Sequence, residues 1–208
     1  MIQDQITLFT QKAEAVSAVV RRVASMEEAF GYTVDICLNK GACQLLMSGC
    51  EGAISDEAAD LCVAKSAQRV IAAPGLPDEQ CARLAGAAEK GGIKLIADGL
   101  RHHLAGIDIG FAVADLGLAE TGTVVLDSSS EDLRLSTMIS EINVLVLPLS
   151  RLRAGGAEAE DELLPMMRKV PNYLAFITGA SRTADIERVL AIGVHGPLEL
   201  HILLLEDA

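Results

Sequence analysis

Residues 177–187 read ITGASRTADIE, and the stretch GVHGPLELH follows at residues 193–201. The apolar run Tyr173–Ile177 leads into the first stretch and predicts a buried strand, whereas the acidic residues from Asp185 onward predict the first turn of a helix. The turn between them is rich in glycine and hydroxyl groups and carries Arg182. Backbone N–H groups and a helix dipole that point the same way can hold an anion, so this turn is a candidate anion site. A helix cap with an exposed arginine is the simpler interpretation of the same residues.

Strands and helices alternate in the sequence that precedes this stretch. We predict strands at residues 43–47, 69–73 and 94–97 and helices at residues 57–67 and 78–90. Repetition of strand, helix and strand with short links favours right-handed crossovers. The sequence therefore predicts an α/β fold with a mostly parallel sheet flanked by helices.

The pattern changes near Gly106. Apolar runs at residues 111–119 and 123–127 flank Glu120-Thr121-Gly122, which is typical of a turn between adjacent strands. Two more strands are predicted at residues 143–147 and 201–205, and a helix is predicted at about residues 161–169.

The amino-terminal residues predict helices alone. Phe9, Val16, Val20 and Val23 fall on one face of a helix at residues 5–24. The sequence from Ser25 to Glu28 has the spacing of a capping box, which predicts a second helix at about residues 26–39. We therefore expect a helical appendage at residues 1–39 and one α/β domain at residues 40–208. The apolar stripe of the first helix needs burial, either against that domain or against a second copy of the chain.

The amino-acid composition argues against two classes of binding partner. The 17 basic and 29 acidic residues give a net charge of −12, which argues against nucleic acid and against anionic lipid. No apolar run approaches the roughly 20 residues of a membrane span, and the first residues lack the features of a signal peptide. We therefore predict a cytoplasmic protein.

The sequence predicts no metal site and no standard nucleotide site. Five cysteines are present, but their number is odd and no Cys-x-x-Cys occurs, so buried thiols are expected rather than disulfides or a cysteine-ligated cluster. His195 and His201 are separated by five residues, which is not a zinc spacing, and His201 is predicted to be structural. Neither a dinucleotide fingerprint nor a phosphate loop of the ATPase type occurs.

Glu120 and His195 are the candidate groups for proton transfer. Glu120 stands in a glycine-containing turn, where a carboxylate could act as a base, a nucleophile or a hydrogen-bond acceptor, although a solvated turn residue is the simpler interpretation. His195 lies directly before Gly196-Pro197, and its ordinary pKa suits either ligand contact or proton transfer.

Three segments together resemble a known family. They are ADLGLAETGTV at residues 114–124, the stretch at residues 177–187, and GVHGP at residues 193–197 followed by Leu200-His201. These segments resemble the lactate-utilization protein C family, the stand-alone form of the LUD domain, over about residues 110–205. The resemblance implies a Rossmann-like fold similar to that of the sugar-phosphate isomerase and coenzyme A transferase superfamily. Anionic ligands of that superfamily bind at loops on the carboxyl edge of the sheet.

The resemblance also implies a function. It suggests a subunit of a cytoplasmic L-lactate oxidation system that converts lactate to pyruvate with iron–sulfur partner proteins. In that family the cluster-binding cysteines belong to the partner subunits, so no cofactor is expected on this chain, and its role would be accessory or ligand-binding. The alternative is an autonomous enzyme of isomerase, transferase or cyclo-ligase type that uses Glu120 and the Arg182 turn on a phosphorylated or coenzyme A-type substrate. A scaffold protein whose motif loops bind no ligand is a third interpretation.

We expect the motif residues to lie near one another at one edge of the sheet and to bind a small anion. The candidate catalytic residues are Glu120 and His195, and the candidate ligand-binding residues are Thr121, Gly122, Thr123, Gly179, Ser181, Arg182, Thr183, Asp185 and Gly196.

Overall fold

A parallel sheet of six strands forms the centre of the protein. The computed structural model describes residues 2–40, 68–103, 106–183, 191–192 and 196–207. Within these residues the helices are α1 (Ile2–Ala15), α2 (Met26–Asn39), α3 (Asp78–Lys90), α4 (Glu131–Ile139) and α5 (Glu160–Met167). The strands are β1 (Ala18–Val23), β2 (Val70–Ala72), β3 (Lys94–Ile96), β4 (Ile107–Val113), β5 (Leu116–Leu118), β6 (Thr123–Asp127), β7 (Ser140–Pro148), β8 (Leu152–Arg153), β9 (Leu174–Ile177), β10 (Arg182–Thr183), β11 (Ala191–Ile192) and β12 (Glu199–Leu205).

The order of strands in the central sheet is β1-β12-β7-β4-β2-β3, and every neighbouring pair is parallel. All nine residues of β7 are buried, as expected for a strand that is covered on both faces. Helices α2 and α3 cover one face, where Phe30 packs against Phe111 with ring centroids 5.7 Å apart. Helix α1 covers part of the other face through the fully buried Phe9.

A second sheet continues from the carboxyl end of β4. Its strand order is β8-β5-β6-β9, with β6 antiparallel to both β5 and β9. The turn between β5 and β6 contains Glu120-Thr121-Gly122, as predicted. Strand β9 was expected to be buried, but it forms the edge of this sheet and Phe176 is 52% exposed.

The prediction of one helix over residues 5–24 was wrong. Helix α1 ends at Ala15, Ser17 adopts a left-handed conformation with φ 66°, and residues 18–23 form strand β1. The valines at 16, 20 and 23 mimic a helical stripe, but β-branched residues favour a strand once a neighbour is available. That neighbour is β12, which pairs with β1 from Ala18 to Val23. Residues 2–39 thus contribute a strand to the central sheet as well as two helices.

The predicted strand at residues 111–119 is instead divided between the end of β4 and strand β5, while most other predicted elements agree with the structure within three residues. Helix α3 has the predicted bounds, and the capping box of α2 is present: Ser25 Oγ accepts from the Glu28 N–H and a Glu28 carboxylate oxygen accepts from the Ala24 N–H. The predicted strand at 43–47 and helix at 57–67 lie outside the described residues. Helix α4 was not predicted. No helix in the described part of the chain combines the length and apolar character that crossing a bilayer requires.

Candidate functional site

A cavity of about 350 Å³ lies between helix α4, strand β9 and the first residues of β7 and β12. Small-molecule sites occupy roughly 300–1,000 Å³, so this cavity suits a small ligand. Its lining residues are Ser128, Arg134, Thr137, Met138, Asn143, Tyr173, Ala175, Phe176, Ile177, Thr178, Gly179, Ala180, Ser181, Gly196, Pro197 and Leu200. We expected a site at the carboxyl edge of the central sheet, whereas this cavity lies beside the amino ends of two of its strands.

Two of the motif segments meet in the cavity wall. Gly179 follows β9 with φ 77°, a conformation that glycine adopts without strain, and turns the chain towards residues 196–197. The Ser181 N–H donates to the Pro197 carbonyl at 3.1 Å. A Cβ on Gly196 would lie 3.1 Å from the Ser181 Cβ, so glycine at this position lets the two segments approach.

Arg134 is the one charged residue among the described residues that line the cavity. Its Nη1 donates to the Ser128 carbonyl at 2.7 Å and to the Ser129 carbonyl at 2.9 Å. The guanidinium carbon lies 5.3 Å from the centre of the Tyr173 ring, which is within cation–π contact distance. These contacts fix the plane of the guanidinium at the cavity.

Asn143 forms the floor of the cavity and is 3% exposed. Its Oδ1 accepts from the Ser140 hydroxyl at 2.7 Å, and its Nδ2 donates to the Thr137 carbonyl at 2.9 Å. Gly110 on the neighbouring strand β4 makes room for this network, because a Cβ there would lie 2.6 Å from the Ser136 carbonyl oxygen. One amide proton of Asn143 has no acceptor among the described residues.

A chain of hydroxyl groups connects the Glu120 turn to the cavity. Thr121 Oγ1 and Thr123 Oγ1 are 2.7 Å apart, and Thr123 Oγ1 lies 2.7 Å from Thr178 Oγ1 in the cavity wall. Glu120 itself does not line the cavity: its side chain is exposed and its carboxylate accepts from the Gly156 N–H at 2.8 Å.

Gly122 faces the backbone of helix α1. Its φ is 66°, and a Cβ there would lie 2.7 Å from the Lys12 carbonyl carbon and 2.8 Å from the Ala13 Cα. The glycine of this turn thus permits close packing between the second sheet and α1.

The structure brings together Gly179, Ser181 and Gly196, and it holds Thr121, Gly122 and Thr123 in the adjoining turn. The backbone of Arg182 and Thr183 forms β10, which pairs with β11. The Arg182 side chain, Asp185 and His195 lie outside what the structure describes.

Sequence reasoning missed Arg134 and Asn143. The run of serines at residues 128–130 followed by acidic residues resembles a helix start and could have indicated α4. Neither Arg134 nor Asn143 belongs to a quoted motif, so nothing in the sequence connects them with residues 177–201.

Several buried titratable groups away from the cavity have partners within the protein. Tyr32 Oη and Glu199 Oε2 each lie 2.9 Å from a ring nitrogen of His201, which confirms that this buried histidine is structural. Lys40 pairs with Asp108 at 2.5 Å and with Glu141. Burial of the Tyr32 hydroxyl raises its pKa.

The described cysteines are free thiols. Cys37 is fully buried and Cys81 is half-buried, while the other three lie outside the described residues. Burial, reinforced by the charge of Asp108, raises the pKa of the Cys37 thiol to about 11. Among the described residues, no group of three or more histidines, cysteines and carboxylates is placed to hold a metal ion.

Comparison with known proteins decides the family. The family model of the LUD domain matches residues 6–205, nearly the whole chain. The chain belongs to the LUD domain family.

Curated relatives of this LUD domain carry a functional name. Lactate utilization protein C of Shouchella clausii is 34% identical over 102 residues, which are 48% of this chain and 44% of that protein. Lactate utilization protein C of Bacillus subtilis is 33% identical over 103 residues, 48% of this chain and 43% of that protein. The matched segment thus covers less than half of the length of these relatives.

A solved structure supports the fold. The crystal structure of a DUF162 family protein from Deinococcus radiodurans superposes with a TM-score of 0.61 over 99% of this chain and 98% of that chain. The identity is 16%, so this likeness concerns the fold alone and confirms the predicted α/β architecture.

Proposed function

We propose that this LUD domain is a ligand-binding, accessory component of lactate utilization, in which L-lactate is oxidised to pyruvate in the cytoplasm. The cavity is its ligand site, and the ligand is a small anion. The observation that carries the proposal is the meeting of Gly179, Ser181 and Gly196 in one cavity wall, because these residues come from two segments that resemble lactate-utilization protein C. The names of the curated relatives support the same pathway.

The oxidation of lactate to pyruvate removes two electrons and two protons. In this proposal iron–sulfur partner proteins accept the electrons, and the LUD domain binds and presents the small anion. Arg182, Thr183, Asp185 and His195 are proposed to complete the ligand site.

The alternative is an autonomous isomerase, transferase or cyclo-ligase in which Glu120 acts on a phosphorylated or coenzyme A-type substrate. The Glu120 carboxylate accepts from the Gly156 N–H, and Glu120 is not among the described residues that line the cavity. We therefore favour the accessory role, in which the hydroxyls of Thr121 and Thr123 are proposed to support the cavity wall at Thr178 and Glu120 is kept as a candidate catalytic residue only under the alternative.

Growth on defined carbon sources tests the proposed function. Deleting the gene in the organism that encodes this chain should abolish growth on L-lactate and leave growth on glucose unchanged. A plasmid copy should restore growth, which controls for effects on neighbouring genes. Unchanged growth on L-lactate would refute the proposal, and conversion of a phosphorylated substrate by the purified chain alone would favour the alternative.

A further inference from the structure

We propose that Arg134 is the anion anchor of the cavity and that the ligand is a small carboxylate with an oxygen on its second carbon, a 2-hydroxy or 2-keto acid. The inference deepens the proposed function and rests on it for the choice of ligand class. The sequence directed attention to Arg182, whereas the geometry points to an arginine outside every quoted motif.

The local charge favours an anion. Arg134 is the single charged side chain among the described residues that line the cavity, on a chain of net charge −12. The nearby Glu131 is held by another arginine: Arg101 Nε donates to its carboxylate at 2.8 Å. The hydrogen bond from Arg101 is the main cause that lowers the pKa of Glu131, and the charge of Arg134 has a smaller effect, so this carboxylate is paired first with Arg101.

The guanidinium of Arg134 presents the edge that carboxylates bind. Nη1 is taken by two backbone carbonyls, and Nε and Nη2 donate to no acceptor among the described residues. Two other arginines of this protein bind a carboxylate through the same two atoms. Nε and Nη2 of Arg101 donate to the Glu131 carboxylate, and Nε and Nη2 of Arg153 donate to the Glu162 carboxylate. A planar guanidinium binds a carboxylate through two parallel hydrogen bonds along this edge.

Further polar groups line the same cavity. Ser128 Oγ is buried and has no hydrogen-bond partner among the described residues, and the carbonyl of the same residue accepts from Arg134 Nη1, so this hydroxyl belongs to a residue that contacts the guanidinium. Asn143 also lines the cavity and has an uncommitted amide proton, while its Nδ2 donates to the Thr137 carbonyl.

This arrangement matches a small 2-oxygenated acid. Such an acid carries its carboxylate and its second oxygen on adjacent carbons, so one molecule can meet both the arginine and the hydroxyl of the neighbouring Ser128. The apolar side chains of Met138, Ala175 and Leu200 complete the lining and suit a methyl group.

A ligand-observed NMR titration of the full chain tests the inference. The probes are L-lactate, pyruvate, propionate and inorganic phosphate, each titrated against the wild type, Arg134→Ala, Arg134→Gln and Arg134→Lys. Arg22→Ala is the matched control, because it also removes one positive charge but lies on β1, where Arg22 pairs with Glu206. Arg134→Gln retains a neutral donor for the Ser128 and Ser129 carbonyls and guards against a folding defect.

L-Lactate and pyruvate should bind the wild type more tightly than propionate does, because propionate lacks the second oxygen. Arg134→Ala and Arg134→Gln should weaken their binding about ten- to a hundredfold, and Arg134→Lys should recover part of the loss. Arg22→Ala should bind as the wild type does.

Equal binding of the acids to the wild type and to Arg134→Gln would overturn the inference, as would the absence of binding by all four probes. Binding of phosphate or propionate in preference to lactate, even if it depends on Arg134, would overturn the ligand class. These outcomes are separate from the growth test: loss of growth on L-lactate together with binding that ignores Arg134 would leave the proposed function standing and refute the role of Arg134.

Discussion

Replacement of Gly122 by alanine tests how the second sheet is joined to helix α1. The Cβ that alanine adds would lie 2.7 Å from the Lys12 carbonyl carbon and 2.8 Å from the Ala13 Cα. Both atoms belong to a helical backbone, so no side chain can rotate out of the way. The residue would also have to hold a φ of 66°, which alanine adopts at a cost.

The two costs can be separated by a matched variant. Gly92 has φ 67°, but a Cβ there would meet nothing within 4 Å. Gly92→Ala should therefore lower the free energy of unfolding only by the cost of the left-handed backbone conformation, about 1–2 kcal/mol. Gly122→Ala should lower the free energy of unfolding by this conformational cost and, in addition, by about 1–3 kcal/mol for the overpacking of the new Cβ against α1. The expected loss is then about 2–5 kcal/mol, a large part of the roughly 5–15 kcal/mol that stabilises a typical domain.

Urea unfolding followed by far-ultraviolet circular dichroism measures both variants against the wild type. The midpoint of Gly122→Ala should fall well below that of Gly92→Ala, with similar slopes. If the two variants unfold at the same urea concentration, Gly122 does not press on α1 and the packing argument fails. A Gly122→Ala protein that stays as stable as the wild type but loses its ligand would instead support the ligand-binding role predicted from the sequence.

Two further expectations concern ionisable groups. Cys37 should resist maleimide at pH 8 in the folded protein and react after unfolding, because burial raises its pKa to about 11. The half-buried Cys81 should react more readily, and peptide mass mapping distinguishes the two thiols. Fast labelling of Cys37 in the native protein would contradict its burial. The pKa of Asp127 is lowered mainly by the hydrogen bond from Lys169, so this carboxylate stabilises the fold above the unfolded pKa near 3.9, and the contribution is lost as pH falls through the folded pKa. Asp127→Asn should lower the free energy of unfolding at pH 7 by about 1 kcal/mol, a modest value because Lys169 is 59% exposed. The difference in stability from the wild type, measured by urea unfolding, should shrink below pH 4. A difference that does not depend on pH would show that the charge is not involved.

Local signals predicted much of the fold. Helix α3 was predicted with its observed bounds, since Gly91-Gly92 mark its end in the sequence. The turn at Glu120-Thr121-Gly122 was also predicted from the sequence, since a glycine-containing segment separates two apolar runs. The error at residues 5–24 arose because spacing alone cannot tell a helix followed by a strand from one long helix. The deciding contact, between β1 and β12, lies far away in the sequence.

The candidate site was predictable only in part. Gly179, Ser181 and Gly196 were named because they stand in glycine-rich turns that resemble a known family, and the structure places them in one cavity wall. Arg134 could not be named, because its importance arises from the approach of α4 to β9 and β12. No property of the sequence around Arg134 distinguishes it from the other arginines.

The position of β12 between β1 and β7 has a consequence for the order in which the chain can fold during synthesis. Of the described strands, β1 is translated first, yet its partner, residues 200–205, is translated after every other one. Local hairpins and helices can form as they emerge, but β1 must wait unpaired until β12 has been made. Pairing between such distant segments is slow, and unpaired strand edges expose a chain to association with its neighbours. The strand order therefore leaves the edge of β1 unpaired for longer during synthesis than any other described strand of the central sheet.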